Sequence, residues 1–106
     1  MWVYLNGEII PAIEAKISPL DRSFTFGDGV YEVIPSYNQE LFLFEEHLQR
    51  LKISLAKTFI PAPTELDNLE DILKKLHIKN EYQNQSFYIQ ITRGVQESRS
   101  HTASEN

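Results

Sequence analysis

The side chains of this sequence best suited to chemistry are a tyrosine on a strand, an arginine on a helix and an Arg-x-His pair near the end, and all of them suit the recognition of anions. Tyr31 follows the breaker-rich run Asp21-Arg22-Ser23-Phe24-Thr25-Phe26-Gly27-Asp28-Gly29 and sits within Val30-Tyr31-Glu32-Val33. Alternate residues of a strand share a face, so Tyr31 and Val33 point one way and Glu32 and Ile34 the other. One face then carries a phenol beside an apolar wall. Tyr31 reads either as a half-buried sheet aromatic with its hydroxyl in water or as a hydrogen-bond donor in a pocket. Arg50 lies between Leu48 and Leu51, close to the apolar stripe of a helix. There its planar fork either snorkels and pairs at the surface or grips a phosphate or carboxylate. Arg99 and His101 share a face of any extended segment, and form either a joint carboxylate grip or part of a solvated loop. His47 reads as a helix-surface histidine, and His77 as one that favours the dipole at a helix end.

Other chemistries are poorly served. The 106 residues contain no cysteine, which removes disulfides, thiolate metal sites and cysteine nucleophiles together. No Ser/His/Asp arrangement, metal-ligand cluster or phosphate-cradling glycine loop stands out. A net charge of -5 argues against nucleic acid or an anionic membrane as the main partner, since both need clustered cations. The opening Met1-Trp2-Val3-Tyr4-Leu5-Asn6 carries no basic leader and meets a turn too early for a signal sequence. No apolar run approaches the roughly 20 residues of a membrane span. The chain reads as soluble and cytoplasmic.

The elements that position these residues follow from period and punctuation. Trp2 to Leu5, Asn6-Gly7 and Glu8 to Ile10 read as a hairpin. A short extended piece is expected from Ile13 to Ile17, then a loop from Asp21 to Gly29 leading into a strand from Val30 to Tyr37, with Pro35 marking an edge or a bulge. A turn at Tyr37 to Glu40 leads into Leu41-Phe42-Leu43. Phe44, Leu48, Leu51 and Leu55 then recur at helical spacing, predicting a helix over Phe44 to Lys57. Pro61 and Pro63 break it. Thr64 reads as the N-cap of a second helix carrying Leu66, Leu69, Leu73 and Leu76 and ending near His77. Ser86 to Arg93 alternates, with Phe87, Ile89 and Ile91 on one face, and the pattern stops beyond Gly94. The fold class expected is α+β, a largely antiparallel sheet with two helices.

In order and spacing, the Asn6-Gly7 hairpin, Phe26-Gly27-Asp28-Gly29-Val30-Tyr31-Glu32, His47-Leu48-Gln49-Arg50-Leu51 and Thr92-Arg93-Gly94 resemble the N-terminal domain of class IV (fold type IV) pyridoxal phosphate enzymes. Arg99-Ser100-His101 resembles the substrate-carboxylate clamp of their D-amino acid aminotransferases. The resemblance implies that Arg50 holds the phosphate of pyridoxal 5'-phosphate, that Tyr31 helps bind the substrate carboxylate, and that Val33 lines the pocket. It implies that Arg99 and His101 act across a homodimer interface. The substrates implied are an amino acid and a 2-oxo acid.

The resemblance also implies a lysine joined to the cofactor as a Schiff base, in a second domain. Lys16, Lys52, Lys57, Lys74, Lys75 and Lys79 all fall in loops or helices, so no catalytic residue is assigned within the chain. The expected organisation is an N-terminal α+β domain over residues 1–94 and a polar interdomain or clamp loop over 95–106, truncated before the lysine-bearing domain. On this reading the chain alone is inactive. An aminodeoxychorismate lyase of the same fold and a non-catalytic remnant domain are the alternatives.

Overall fold

The opening hairpin takes the form that its turn chemistry requires. In the computed structural model, which describes residues 1–97, strands β1 (Trp2–Leu5) and β2 (Glu8–Pro11) pair antiparallel with Leu5 opposite Glu8. Asn6 and Gly7 between them have φ of 48° and 96°, the left-handed pair that matches a two-residue turn to the strand twist. The extended piece expected from Ile13 to Ile17 begins only at Ala15, at φ -74° and ψ 124°, and pairs with no strand among the described residues. Ala12–Glu14 instead form a single 3-10 turn, closed by Ala15 N donating to Ala12 O at 3.1 Å. Among the described residues no strand offers this segment a ladder, and Ile13 and Ile17 remain exposed.

The expected Asp21 to Gly29 loop contains a short helix, α1 (Arg22–Phe26). Asp21 caps it, its carboxylate accepting from Ser23 N at 2.8 Å, and Gly27 at φ 64° ends it, the left-handed stop that glycine adopts at little cost. Strand β3 (Gly29–Tyr37) follows directly. Its neighbours are β4 (Glu40–Leu41) and β5 (Gln85–Thr92), in the antiparallel order β4-β3-β5. The register runs from Gly29 opposite Thr92 to Ser36 opposite Gln85. Pro35 therefore lies in the middle strand of the sheet. Phe42 N donates to Pro35 O at 2.8 Å, and the proline has no N–H to return on that side. The β4 pairing accordingly covers only Ser36 and Tyr37, and Leu43, at φ 53°, turns the chain into a helix.

That helix, α2 (Phe44–Thr58), matches the predicted span to one residue. The second differs at both ends. Thr64–Asn68 form a 3-10 helix in which Thr64 makes no side-chain cap, because the turn is already closed by Leu66 N donating to Pro63 O. Helix α3 (Leu69–Asn80) then runs three residues past His77 to a left-handed Glu81. Asn80 docks the hairpin, accepting from Trp2 N at 2.7 Å and donating to Trp2 O at 3.1 Å. His77 does lie in the last turn of α3, but not at the surface. It is buried, its Nδ1 3.5 Å from Ser36 Oγ and its ring against Phe87.

The core lies between one face of the β3–β5 sheet and the two long helices: Val30, Ile34 and Phe87 below, Leu51, Leu55, Leu69 and Leu73 above, closed by Ile60 and Leu66. The helical stripe Phe44, Leu48, Leu51, Leu55 and the strand alternation Phe87, Ile89, Ile91 meet there as predicted. Each fully buried leucine contributes about 1.5–3 kcal/mol of burial. Among the described residues no helix is long and apolar enough to cross a membrane. Leu51→Ala, at a position with no exposure, is expected to lower unfolding free energy by about 3 kcal/mol, measured by urea denaturation. Ile78→Ala on the solvent side of α3 should change it by less than about 0.5 kcal/mol.

Candidate active-site wall and its ionic supports

The Phe26-Gly27-Asp28-Gly29 run owes its residue types to three separate demands. Gly27 ends α1. At Gly29 an added Cβ would stand 3.1 Å from Ile91 O and 3.4 Å from Ser23 Oγ, so the absence of a side chain lets α1 lie close against the sheet. Asp28 between them is the electrostatic centre. Its Oδ2 accepts from Arg22 Nε at 2.9 Å and from Arg93 Nε at 2.7 Å.

Those two arginines carry the connection outward. Arg93 also donates to the carbonyls of Thr58 (2.7 Å) and Phe59 (3.1 Å), satisfying the C-terminal end of α2 where cations are favoured. Arg22, only 6% exposed, lies over the Phe26 ring at 4.7 Å and donates to Gln96 Oε1 at 2.8 Å. Its backbone N–H bonds Gly94 O, Gln96 N bonds Leu20 O, and Asp21 bridges Val95. Pairing thus continues two residues beyond the point where the sequence pattern ends. Burial by itself would raise the Asp28 carboxyl, but the hydrogen bonds and charges of Arg93 and Arg22 outweigh it and hold the group below its ordinary value.

A second carboxylate, Glu32, is 4% exposed on the helix-facing side of β3. Arg50 Nε reaches both of its oxygens at 3.0 Å, and Arg50 Nη2 and His47 Nδ1 (2.8 Å) both meet Oε1. Hydrogen bonding from Arg50, working against burial, lowers the Glu32 carboxyl, and His47 adds to it. A carboxylate so held only accepts, so His47 Nδ1 carries the hydrogen. His47 is therefore not the surface histidine expected from sequence, because position 47 shares a helix face with position 50 and that face meets Glu32. Arg50 does lean over the core edge, with its side chain 68% exposed.

Tyr31 and Val33 point away from the helices, as alternation predicts, onto a face left open to solvent. Tyr31, 64% exposed, stacks on Tyr88 with centroids 5.6 Å apart and planes 15° apart. Tyr88 stands opposite Val33, and Gln90 on the same face bonds Ser23 Oγ of α1 at 2.7 Å. Asp28 O bonds Arg93 N toward β5, while Pro35 O bonds Phe42 N on the opposite side. Backbone polar groups alternate along an antiparallel strand, so Tyr31 and Val33 direct theirs to the edge away from β5. No strand pairs there at these two residues among those described.

The structure thus joins Arg50 to Glu32 and Tyr31 to Tyr88, from opposite faces of β3, without joining Arg50 to Tyr31. Arg99 and His101 lie outside the described residues. Sequence reading passed over Asp28, Glu32 and Tyr88 as site elements, although strand parity and the 47/50 spacing together point to Glu32. Among the described residues no group of three His, Asp or Glu side chains could hold a metal ion. Both lowered carboxyls bind protons more weakly in the fold than unfolded. Their stabilisation is complete above the ordinary carboxylate pKa of about 4 and is lost as pH falls through their lowered values. Urea midpoints measured down this acid limb should fall steeply for the wild type and less steeply for Asp28→Asn, whose stability at neutral pH should already be reduced.

Residues 29–106 match the amino-transferase class IV family. The D-alanine aminotransferase of Listeria monocytogenes serotype 1/2a (strain 10403S) is 39% identical over 101 residues, 95% of this chain and 35% of the relative. That of Staphylococcus haemolyticus is 41% identical over 93 residues, 88% of this chain and 33% of the relative. Among solved structures, the branched-chain amino acid aminotransferase from Escherichia coli superposes with a TM-score of 0.82 at 25% identity, over 88% of this chain and 33% of that one. The branched-chain aminotransferase of Thermoproteus uzoniensis with norvaline gives 0.71 at 28% identity, over 85% and 31%. The chain thus spans about one third of the length of the curated relatives it matches. With strand β3 and the Arg50 helix both within residues 29–106, and relatives 39% identical over 95% of its length, this chain belongs to the class IV aminotransferases.

Proposed function

We propose that this chain supplies the phosphate-binding arginine and one substrate wall of a pyridoxal phosphate-dependent aminotransferase that moves an amino group between a D-amino acid and a 2-oxo acid. The observation that carries the reading is Arg50. Its guanidinium is tied to Glu32 through Nε and Nη2, while the side chain is 68% exposed. A dianionic phosphate needs such a fork at an accessible surface. The residues present therefore fit the group. The names of the curated relatives support the D-amino acid side.

Pyridoxal phosphate, when bound, supplies the electron sink for bond changes at the amino acid's α-carbon. The chain's own residues bind and orient. Arg50 holds the phosphate, the Tyr31 hydroxyl donates to the substrate carboxylate, and Val33 gives that pocket an apolar side. Arg99 and His101 complete the carboxylate grip from the other protomer of a homodimer. Residues 1–94, extended by the pairing of Val95 and Gln96, act as the folded unit, and the remainder of 95–106 as the segment bearing the clamp. The lysine that moves the proton lies elsewhere in the enzyme, since Lys52 and Lys57 stand on α2, Lys74, Lys75 and Lys79 on α3, and Lys16 in the segment after the 3-10 turn. The partners are small molecules in the cytoplasm, without nucleic acid or membrane.

The intact protein is expected to transfer the amino group of D-alanine to a 2-oxo acid. Release of pyruvate from aminodeoxychorismate with no transfer from any D-amino acid would assign it to the lyases instead. Residues 1–106 expressed alone should give no covalent cofactor adduct on borohydride reduction, read by mass spectrometry, and an adduct on one of the six lysines would overturn their exclusion.

A further inference from the structure

The ion pair beneath Arg50 divides the guanidinium into two edges. Arg50 spends Nε on both oxygens of Glu32, at 3.0 Å each, and one hydrogen of Nη2 on Oε1. Nη1 has no acceptor among the described residues. A guanidinium is rigid and planar, so fixing the Nε–Nη2 edge fixes the direction in which the Nη1 edge points. The carboxylate that does this is itself immobilised. It sits on β3, 4% exposed, and His47, three residues before Arg50 on α2, donates to the same Oε1 at 2.8 Å. Two helix residues thus hold one strand carboxylate, and the strand in turn holds the exposed end of Arg50.

We infer that Glu32, assisted by His47, is a positioning residue that sets the orientation of Arg50 for the cofactor phosphate. The inference rests on the phosphate role proposed above for Arg50. Two effects of Glu32 on phosphate binding oppose each other. Its negative charge repels a phosphate across the guanidinium. Its bidentate hold removes the rotamer freedom that a long exposed arginine otherwise loses on binding. A mere counter-ion would therefore weaken phosphate binding, whereas a positioning residue strengthens it, and the sign of the Glu32 effect separates the roles.

The test uses Glu32→Gln, Arg50→Gln and the double variant in the intact protein, titrated with pyridoxal phosphate and with pyridoxal, which lacks the phosphate. Glutamine at position 32 leaves no buried charge, and glutamine at position 50 keeps a donor for Glu32, so both variants favour a folded protein, checked by thermal unfolding. Glu32→Gln is expected to weaken pyridoxal phosphate binding about tenfold, leave pyridoxal binding unchanged, and add nothing further once Arg50 is replaced. Unchanged or tighter pyridoxal phosphate binding overturns the inference and makes Glu32 a counter-ion. Equal losses for both ligands, or a full additional loss in the double variant, overturn it in favour of general structural support. If Arg50→Gln itself leaves pyridoxal phosphate binding intact, the phosphate role of Arg50 fails, and the positioning role falls with it.

Discussion

A single carboxylate oxygen, Oδ2 of Asp28, receives two guanidiniums, and most of what lies around the candidate site is attached through it. A half-buried carboxylate is costly without a partner. With two cations on one oxygen, the excess donors need acceptors of their own. Arg93 finds them in the last carbonyls of α2, and Arg22 in Gln96. One charge thereby fastens α1, the end of β5, the end of α2 and the segment leaving the sheet. The flanking glycines serve the same junction, one ending α1 and the other admitting it against the strand.

Glu32 repeats the arrangement four residues along. It too is a carboxylate on the helix-facing side of the sheet, neutralised from α2 by Arg50 and hydrogen-bonded by His47. The two faces of the β3–β5 sheet therefore divide the work. Ionic and apolar contacts with the helices fill one face, where Ile34 and Ser36 are fully buried. The other carries Tyr31, Val33, Tyr88 and Gln90, accessible and held in order by stacking and cross-strand pairing. A strand with a fixed, buried side is a suitable support for side chains that must meet a ligand on the other.

Much of the fold was legible because it depends on local pattern. The 3.6-residue stripe of α2, the alternation of β5 and the Asn6-Gly7 turn each follow from neighbours in sequence, and each formed close to where the pattern placed it. The failures have a different origin. An extended piece at Ile13 to Ile17 becomes a strand only with a partner, and none reaches it among the described residues. Thr64 has the right residue type for a cap, yet the 3-10 turn starting at Pro63 had already enclosed it. The short helix α1 carried its signals openly in Asp21 and Gly27, and the density of breakers concealed it.

The site shows the same division. Sequence by itself determined the side-chain inventory, the parity that sets Tyr31 and Val33 apart from Glu32, and the helix face that presents Arg50, because these depend on backbone periodicities within single elements. Tertiary structure decided that His47 and Arg50 share the Glu32 carboxylate, that Arg22 and Arg93 converge on Asp28 from positions 71 residues apart in the chain, and that Tyr31 lies on Tyr88. Such contacts join residues distant in the chain. Which charges meet depends on how the helices settle on the sheet, and that follows from packing the whole core, which no local pattern encodes.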